Sequence, residues 1–200
     1  MKEFIKMDEN NMMFFYKNIR LEQRVEAVEA LEKLSNKLKE TNEMPKTIIE
    51  IGMNHGGFSL VLNDSTISKN AEIYCFDIVD RNFANNLKDT KIRWYINDIF
   101  KIESFVKDLI ERDGRTLLFC DGGNKVKEFN TFAKYLKPGD LIFTHDYYKN
   151  EEEYEKYKNI RWSWLESKEA DLITTAKIYN LQPFMEDEFE KCVWSCKIKA

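Results

Sequence analysis

Apolar residues near the start of the chain recur at three- and four-residue steps: Leu21, Val25, Val28, Leu31, Leu34 and Leu38. That spacing places them on one face of a helix, with Glu and Lys on the other, so residues 12–41 read as an amphipathic helix. Pro45 closes this segment. After it the period changes. Short apolar runs at Thr47–Ile51, Glu72–Asp77, Ile92–Ile96, Thr116–Cys120 and Leu141–Thr144 read as strands. Helix-like stretches near 57–63, 82–87, 100–112 and 125–136 fall between them, and Lys137-Pro138-Gly139-Asp140 reads as a turn. Residues 151–179 read as mostly helical. Residues 190–197 read as a last strand, with Cys192, Trp194 and Cys196 alternating against Val193, Ser195 and Lys197.

Strands alternating with helices imply an α/β fold, a parallel sheet covered on both faces. The first, fourth and fifth of the strands are continuous apolar runs, as fully buried strands should be. No internal repeat, low-complexity linker or second domain is evident, so residues 1–200 are expected to form one domain, with 1–44 a helical N-terminal extension and 45–200 the core. A length of 200 residues, 43% hydrophobic and 33% charged, suits one soluble globular unit. The net charge of −4, without a basic run, argues against a nucleic-acid partner. No membrane-spanning apolar run and no signal-peptide core are visible, which points to the cytoplasm. The four cysteines fit that compartment as small buried hydrophobes rather than disulfides.

The candidate chemistry starts in the segment TIIEIGMNHGGF, residues 47–58. A strand ends in Glu50, a turn carries Gly52, Gly56 and Gly57, a helix follows, and the next strand ends in Asp77. Such a strand–turn–helix cradles a nucleotide-like ligand. Glycine lets the backbone approach closely, and the helix N-terminus offers free N–H groups. A dinucleotide fingerprint is G-x-G-x-x-G, but here Asn54 stands where its second glycine would be, and there is no P-loop lysine. Glu50 is placed to pair with an α-amino group and Asp77 with two ribose hydroxyls. A ligand with ammonium, carboxylate and ribose is S-adenosylmethionine (SAM). The segment resembles motif I of the class I SAM-dependent methyltransferases. The resemblance implies a Rossmann-like, doubly wound, mostly parallel seven-stranded sheet with an antiparallel last strand, and it sets Glu50, Gly52, Asn54, Gly56 and Asp77 against the cofactor.

In open parallel sheets, ligands bind beyond the carboxyl ends of the strands. The later strands here end in Asn97-Asp98, Asp121 and His145-Asp146. Asn97 and Asp98 have two readings, adenine contact, which the resemblance implies, and helix N-cap. Asp121 and the His145-Asp146 pair close strands expected to be neighbours, about 4.8 Å apart. Two carboxylates gathered there repel unless a cation lies between them. Carboxylates suit Mg²⁺, and an added imidazole shifts the preference toward Mn²⁺ or another transition ion. The arrangement resembles the metal-dependent branch containing sugar O-methyltransferases and cephalosporin hydroxylase-like proteins, which implies Asp121, His145 and Asp146 as ligands of a divalent ion and Asp121 at the cofactor.

Two departures from that branch stand out. His145 replaces an acid, and Gly123 stands where several relatives carry the proton-removing acid. His145 is therefore the leading candidate base, with His55, the other of two histidines, and Lys125 as further candidates. Lys125 reads as an acceptor-binding group, a base of depressed pKa, or a surface lysine. Tyr147, Tyr148, Trp162 and Trp164 read either as rings over an acceptor or as core. The apolar arm 12–16 reads as a lid, a subunit contact of a homo-oligomer, or packing under the sheet. The expected function is divalent-metal-assisted O-methyl transfer to a small sugar-like acceptor. The rivals are a metal-dependent hydroxylase-like enzyme, a nicotinamide oxidoreductase, and a degenerate SAM-binding scaffold.

Overall fold

The computed structural model of the chain describes residues 5–8, 13–158 and 165–200. Three short strands come first, β1 (Ile5–Asp8), β2 (Met13–Tyr16) and β3 (Ile19–Leu21), paired antiparallel in chain order. Helix α1 begins only afterwards and spans Val25–Glu40. The first part of the helix expected over 12–41 is thus a strand hairpin, β2 and β3. The reason is local: Phe14, Phe15 and Tyr16 suit a pleated strand. Lys17 and Asn18, both at positive φ (49° and 65°), make a two-residue hairpin turn that brings Tyr16 opposite Ile19. Within α1 the expected face is correct: Val28, Leu31, Leu34 and Leu38 are buried.

The chain then alternates as the hydrophobic pattern requires. β4 (Thr47–Ile51), α2 (Gly57–Asp64), β5 (Glu72–Asp77), α3 (Phe83–Asn86), β6 (Ile92–Ile96), α4 (Glu103–Ile110), β7 (Thr116–Cys120), α5 (Lys125–Phe132) and β8 (Leu141–Thr144) follow in order. The C-terminal part carries β9 (Tyr147–Tyr148), α6 (Glu151–Tyr157), β10 (Ser167–Lys168), α7 (Glu169–Ile178), β11 (Leu181–Pro183), α8 (Glu186–Phe189) and β12 (Ser195–Lys199). Within 151–179, read as mostly helical, α6 and α7 are helices with the short β10 before α7, and residues 159–164, with Trp162 and Trp164, lie outside the described residues. The last strand starts at Ser195. Residues 190–192 form a 3₁₀ turn, so Cys192 does not share a strand face with Cys196. All four cysteines are buried, and none is in a disulfide.

Seven strands, in the order β11-β12-β8-β7-β4-β5-β6, make the central sheet. β4 through β8 are parallel, and β12 runs antiparallel between β8 and β11. This is the Rossmann-like, doubly wound arrangement. β11 is the strand the sequence pattern did not reveal, because Leu181, Gln182 and Pro183 are too few to show a period. Apolar side chains pack in two layers. Ile48, Ile73, Leu117 and Phe143 meet α1 and α2, whereas Ile49, Tyr74, Leu118 and Ile142 meet α4, α5 and α7. Among the described residues no helix is long and apolar enough to cross a membrane.

The strand order reverses between β4 and β7, so the sheet opens a crevice there. The N-terminal strands reach that crevice through α2. A Cβ on Gly57 would fall on the Arg20 carbonyl oxygen, well inside van der Waals contact. Substitution Gly57→Ala is expected to force β3 away from α2 and cost about 1–3 kcal/mol, the usual range for overpacking. Urea unfolding should show a lower midpoint with an unchanged slope. An unchanged midpoint would mean that β3 does not pack there.

Candidate functional site

The tightest point of the crevice is the contact between the turn after β4 and the end of β7. Gly52 sits at φ +88°, and a Cβ there would collide with the Asp121 carbonyl oxygen. The backbone is pinned on both sides: the Gly52 N–H donates to the Phe76 carbonyl at 2.8 Å and the Asp121 N–H to the Ile51 carbonyl at 2.9 Å. Beyond this point lies a cleft of about 620 Å³.

Glu50 lies on the β4 face shared with Ile48, fully buried at the cleft wall. It accepts a hydrogen bond from the Ser59 hydroxyl on α2. Burial pushes its carboxyl up to about 8, against the hydrogen bonds from Ser59 and the Cys75 thiol and with Asp121 and Asp77 adding repulsion. Glu50 therefore holds a proton at neutral pH until a cation approaches it. Asp77, at the end of β5, is held by backbone donors, Asn54 N–H at 2.8 Å and Val79 N–H at 3.0 Å. Asn54 adopts φ 50° to make that contact, and its side-chain amide donates to Glu22. Asn97 and Asp98 also line the cleft. Asp98 accepts from the Phe100 N–H at 3.0 Å, capping the turn before α4 rather than α4 itself, whose N-cap is Ile102.

The structure brings Asp121, His145 and Asp146 together, with ligand atoms within 4.8 Å of one another. His145 Nδ1 is 2.8 Å from Asp121 Oδ1 and 3.6 Å from Asp146 Oδ1. Burial opposes a charge on the ring, but Asp121 and Asp146 outweigh it and hold the His145 pKa above its ordinary value. Its Nε2 is buried without a hydrogen-bond partner among the described residues. Asp146 takes φ 52°, a left-handed conformation that Asp tolerates, and thereby turns back toward the pair.

Lys125 opens α5 and is only 7% exposed, so it is not a surface lysine. Its ammonium is 3.0 Å from Asp146 Oδ2, 2.7 Å from Glu166 Oε2 and 3.8 Å from Asp121 Oδ1. Burial alone would lower its pKa, but Asp121 and Asp146 overcome that and raise it, which removes the reading of Lys125 as a base of depressed pKa. His55 does not line the cleft, and neither does Gly56. The His55 carbonyl accepts from Asn86, and burial, with Arg20 and Arg81 nearby, holds the ring pKa below its ordinary value. Tyr147 is buried against the α4–α5–α7 layer and donates to Glu169, while Tyr148 meets Tyr154 at 4.9 Å with the rings tilted by 40°. Neither ring faces the cleft. In the N-terminal arm Tyr16 belongs to the core and donates to Asp64, while residue 12 lies outside the described residues.

Three functional positions escaped the sequence pattern. Gln23, between β3 and α1, is buried and donates from Nε2 to Asp121 Oδ2 at 2.7 Å, while its Oε1 accepts from Trp194 Nε1 at 2.8 Å. The Trp194 ring lies 4.5 Å from that of His145. It is delivered there by Val193 at φ 59°, a strained conformation for a β-branched residue. Glu128 accepts from the Gly122 and Asn124 N–H groups, shaping the turn after β7, and burial pushes its carboxyl up to about 7. A lone glutamine in a polar stretch carries no periodic signal, so only the fold reveals it.

Solved structures share this fold. CmcI in an apo form superposes with a TM-score of 0.62 at 15% identity, covering 93% of this chain and 76% of that one. CmcI with Mg and SAM gives 0.59 at 14% identity, with the same coverage. The plantazolicin methyltransferase BpumL, in complex with a monoazolic desmethylPZN analogue and SAH, gives 0.53 at 13% identity over 87% of this chain and 83% of that one. No family model and no curated protein sequence matches the chain.

Substitution Gln23→Ala would strip partners from two buried groups, the Asp121 carboxylate and the Trp194 indole N–H. A loss of about 1–3 kcal/mol per orphaned group is expected in urea unfolding. An unchanged midpoint would show that water or another side chain replaces the amide.

Proposed function

We propose that the chain is a SAM-dependent O-methyltransferase acting on a hydroxyl of a small polyhydroxylated acceptor, of which a sugar or surface-glycan precursor is the preferred class. The observation that carries this reading is the pairing, in one cleft, of a buried proton-holding Glu50 with a backbone-oriented Asp77 across the Gly52 turn. The sugar class rests on the resemblance of the strand-end acids to those of sugar O-methyltransferases.

The cradle fits the cofactor. Gly52 lets the turn after β4 press against the end of β7, where any Cβ would collide with the Asp121 carbonyl oxygen, and Glu50 is a buried acid whose missing partner is a cation. An α-ammonium beside it would stabilise the carboxylate form. Asp77, fixed by two N–H donors on its oxygens, keeps lone pairs for ribose hydroxyls. Ile78, 71% exposed beside it, offers an apolar face to an adenine ring, and Asp98 stands within the same cleft wall. When bound, SAM supplies an electrophilic methyl on a sulfonium. His145, with Nδ1 committed to Asp121, keeps Nε2 for the proton of the acceptor hydroxyl. The resemblance would give Asp121, His145 and Asp146 to a divalent ion such as Mg²⁺ or Mn²⁺, but here the Lys125 ammonium stands within 4 Å of both acids, so no step is assigned to a metal. The hydroxylase-like alternative would favour a second imidazole at the cluster, and His55 lines no part of the cleft.

Calorimetric titration of SAH at pH 7, in buffers of different ionisation enthalpy, tests the reading. Glu50 is protonated below about 8 in the free protein, and a bound ammonium drives it to the carboxylate. Binding should therefore release about one proton to buffer. The release should shrink above the Glu50 pKa and vanish in Glu50→Gln. Asp77→Ala should weaken SAH by roughly ten- to a hundredfold through lost charged hydrogen bonds. Binding of NADH with no binding of SAH would sink the proposal. Methyl gain measured by mass spectrometry across nucleotide-linked sugars and simple polyols would then identify the acceptor.

A further inference from the structure

The strand-end carboxylates already surround a cation. The Lys125 ammonium has three N–H donors and three acceptors within reach: Glu166 Oε2 at 2.7 Å, Asp146 Oδ2 at 3.0 Å and the Gly122 carbonyl at 3.2 Å. The remaining acid of the cluster, Asp121, accepts one hydrogen bond at each oxygen, Oδ1 from His145 Nδ1 at 2.8 Å and Oδ2 from Gln23 Nε2 at 2.7 Å. An ionised Asp121 makes Nδ1 the donor, so the ring nitrogen facing both carboxylates carries a proton rather than a lone pair.

The location of Lys125 is unfavourable without these acids. It occupies the first position of α5, where the helix dipole disfavours a positive charge, and it is buried. An ammonium is kept there because three carboxylates converge on it. The same acids that the resemblance would give to a divalent ion are thus the ones that hold Lys125. His145 replaces an anionic oxygen by a nitrogen, which lowers the negative charge offered to Mg²⁺, an ion that favours oxygen ligands. A divalent ion placed among Asp121, His145 and Asp146 would also sit against an ammonium that is within 4 Å of both acids, and would be repelled.

We infer that the Lys125 ammonium is the resident cation of the Asp121–His145–Asp146 cluster and that it excludes divalent ions from that site. It offsets part of the negative charge of Asp146 and Glu166 and holds an ammonium at the cleft wall, beside the place where an acceptor oxygen would lose its proton. The catalytic meaning of this charge rests on the methyltransferase reading; the occupancy of the site does not.

The test titrates Mn²⁺ into metal-free protein and follows the electron paramagnetic resonance of the free ion. Wild type should leave the free-ion signal unchanged. Lys125→Met, which removes the charge and keeps the length, should gain one binding site, with affinity raised roughly tenfold or more. Saturable Mn²⁺ binding to wild type that Asp146→Asn abolishes would overturn the inference, as would a folded Lys125→Met protein with no gain. A second measurement serves if that variant does not fold. The slowly exchanging ¹⁵N ammonium resonance of Lys125 in wild type should persist when Mg²⁺ is added, and its displacement by Mg²⁺ would overturn the inference. SAH titrated into the same metal-free samples separates the two claims, because its failure to bind removes the methyltransferase reading and leaves the Mn²⁺ result standing.

Discussion

The site depends on one constraint: acids buried at the carboxyl edge of a parallel sheet must be neutralised. An uncompensated carboxylate there would cost several kcal/mol. The chain meets the constraint in a different way at each position. Glu50 keeps its proton, with its pKa pushed up to about 8. Asp121 takes an imidazole and an amide, Asp146 an ammonium, and Asp77 two backbone N–H groups. Glu128 takes two more N–H groups and is itself pushed up to about 7. These differences separate roles. Glu50, held by the neutral Ser59 hydroxyl and Cys75 thiol, is the acid ready for an incoming cation.

That neutralisation ties distant parts of the chain to the cleft. Gln23 comes from the segment after the N-terminal strands and Trp194 from the turn before the last strand. They meet over Asp121 and His145 through two hydrogen bonds and a ring contact. The rings of Phe58, Phe119 and Trp194 form an apolar floor, with centroids 5.6–5.9 Å apart. A buried hydrogen bond in such surroundings is electrostatically strong, and it also orients the carboxylate that orients His145. The strain at Val193 lies where Trp194 is aimed, as expected of backbone held by surrounding packing.

The alternation of apolar runs determined the parallel core. β4, β5, β6, β7 and β8 have the bounds that the pattern indicates, because each is a short run between turn residues. Gly52, Asp77, Asp121 and the His145-Asp146 pair were legible for the same reason: they close those strands, and the ends of adjacent parallel strands must lie together. The pattern failed where elements are too short or too aromatic for a period, at the N-terminal hairpin, at β11, and at the 3₁₀ turn holding Cys192.

The sequence by itself determined which residues stand at the sheet edge, since strand position along the chain is a one-dimensional property. Only the tertiary structure decided what each of them touches. That Lys125 turns in among acids, that His55 stays off the cleft, that Gln23 joins Asp121 to Trp194, and that Glu50 holds its proton all follow from distances between segments far apart in the chain. Charge and hydrogen-bond partners are set by separation in space and by the water excluded around them, and neither is written in local spacing.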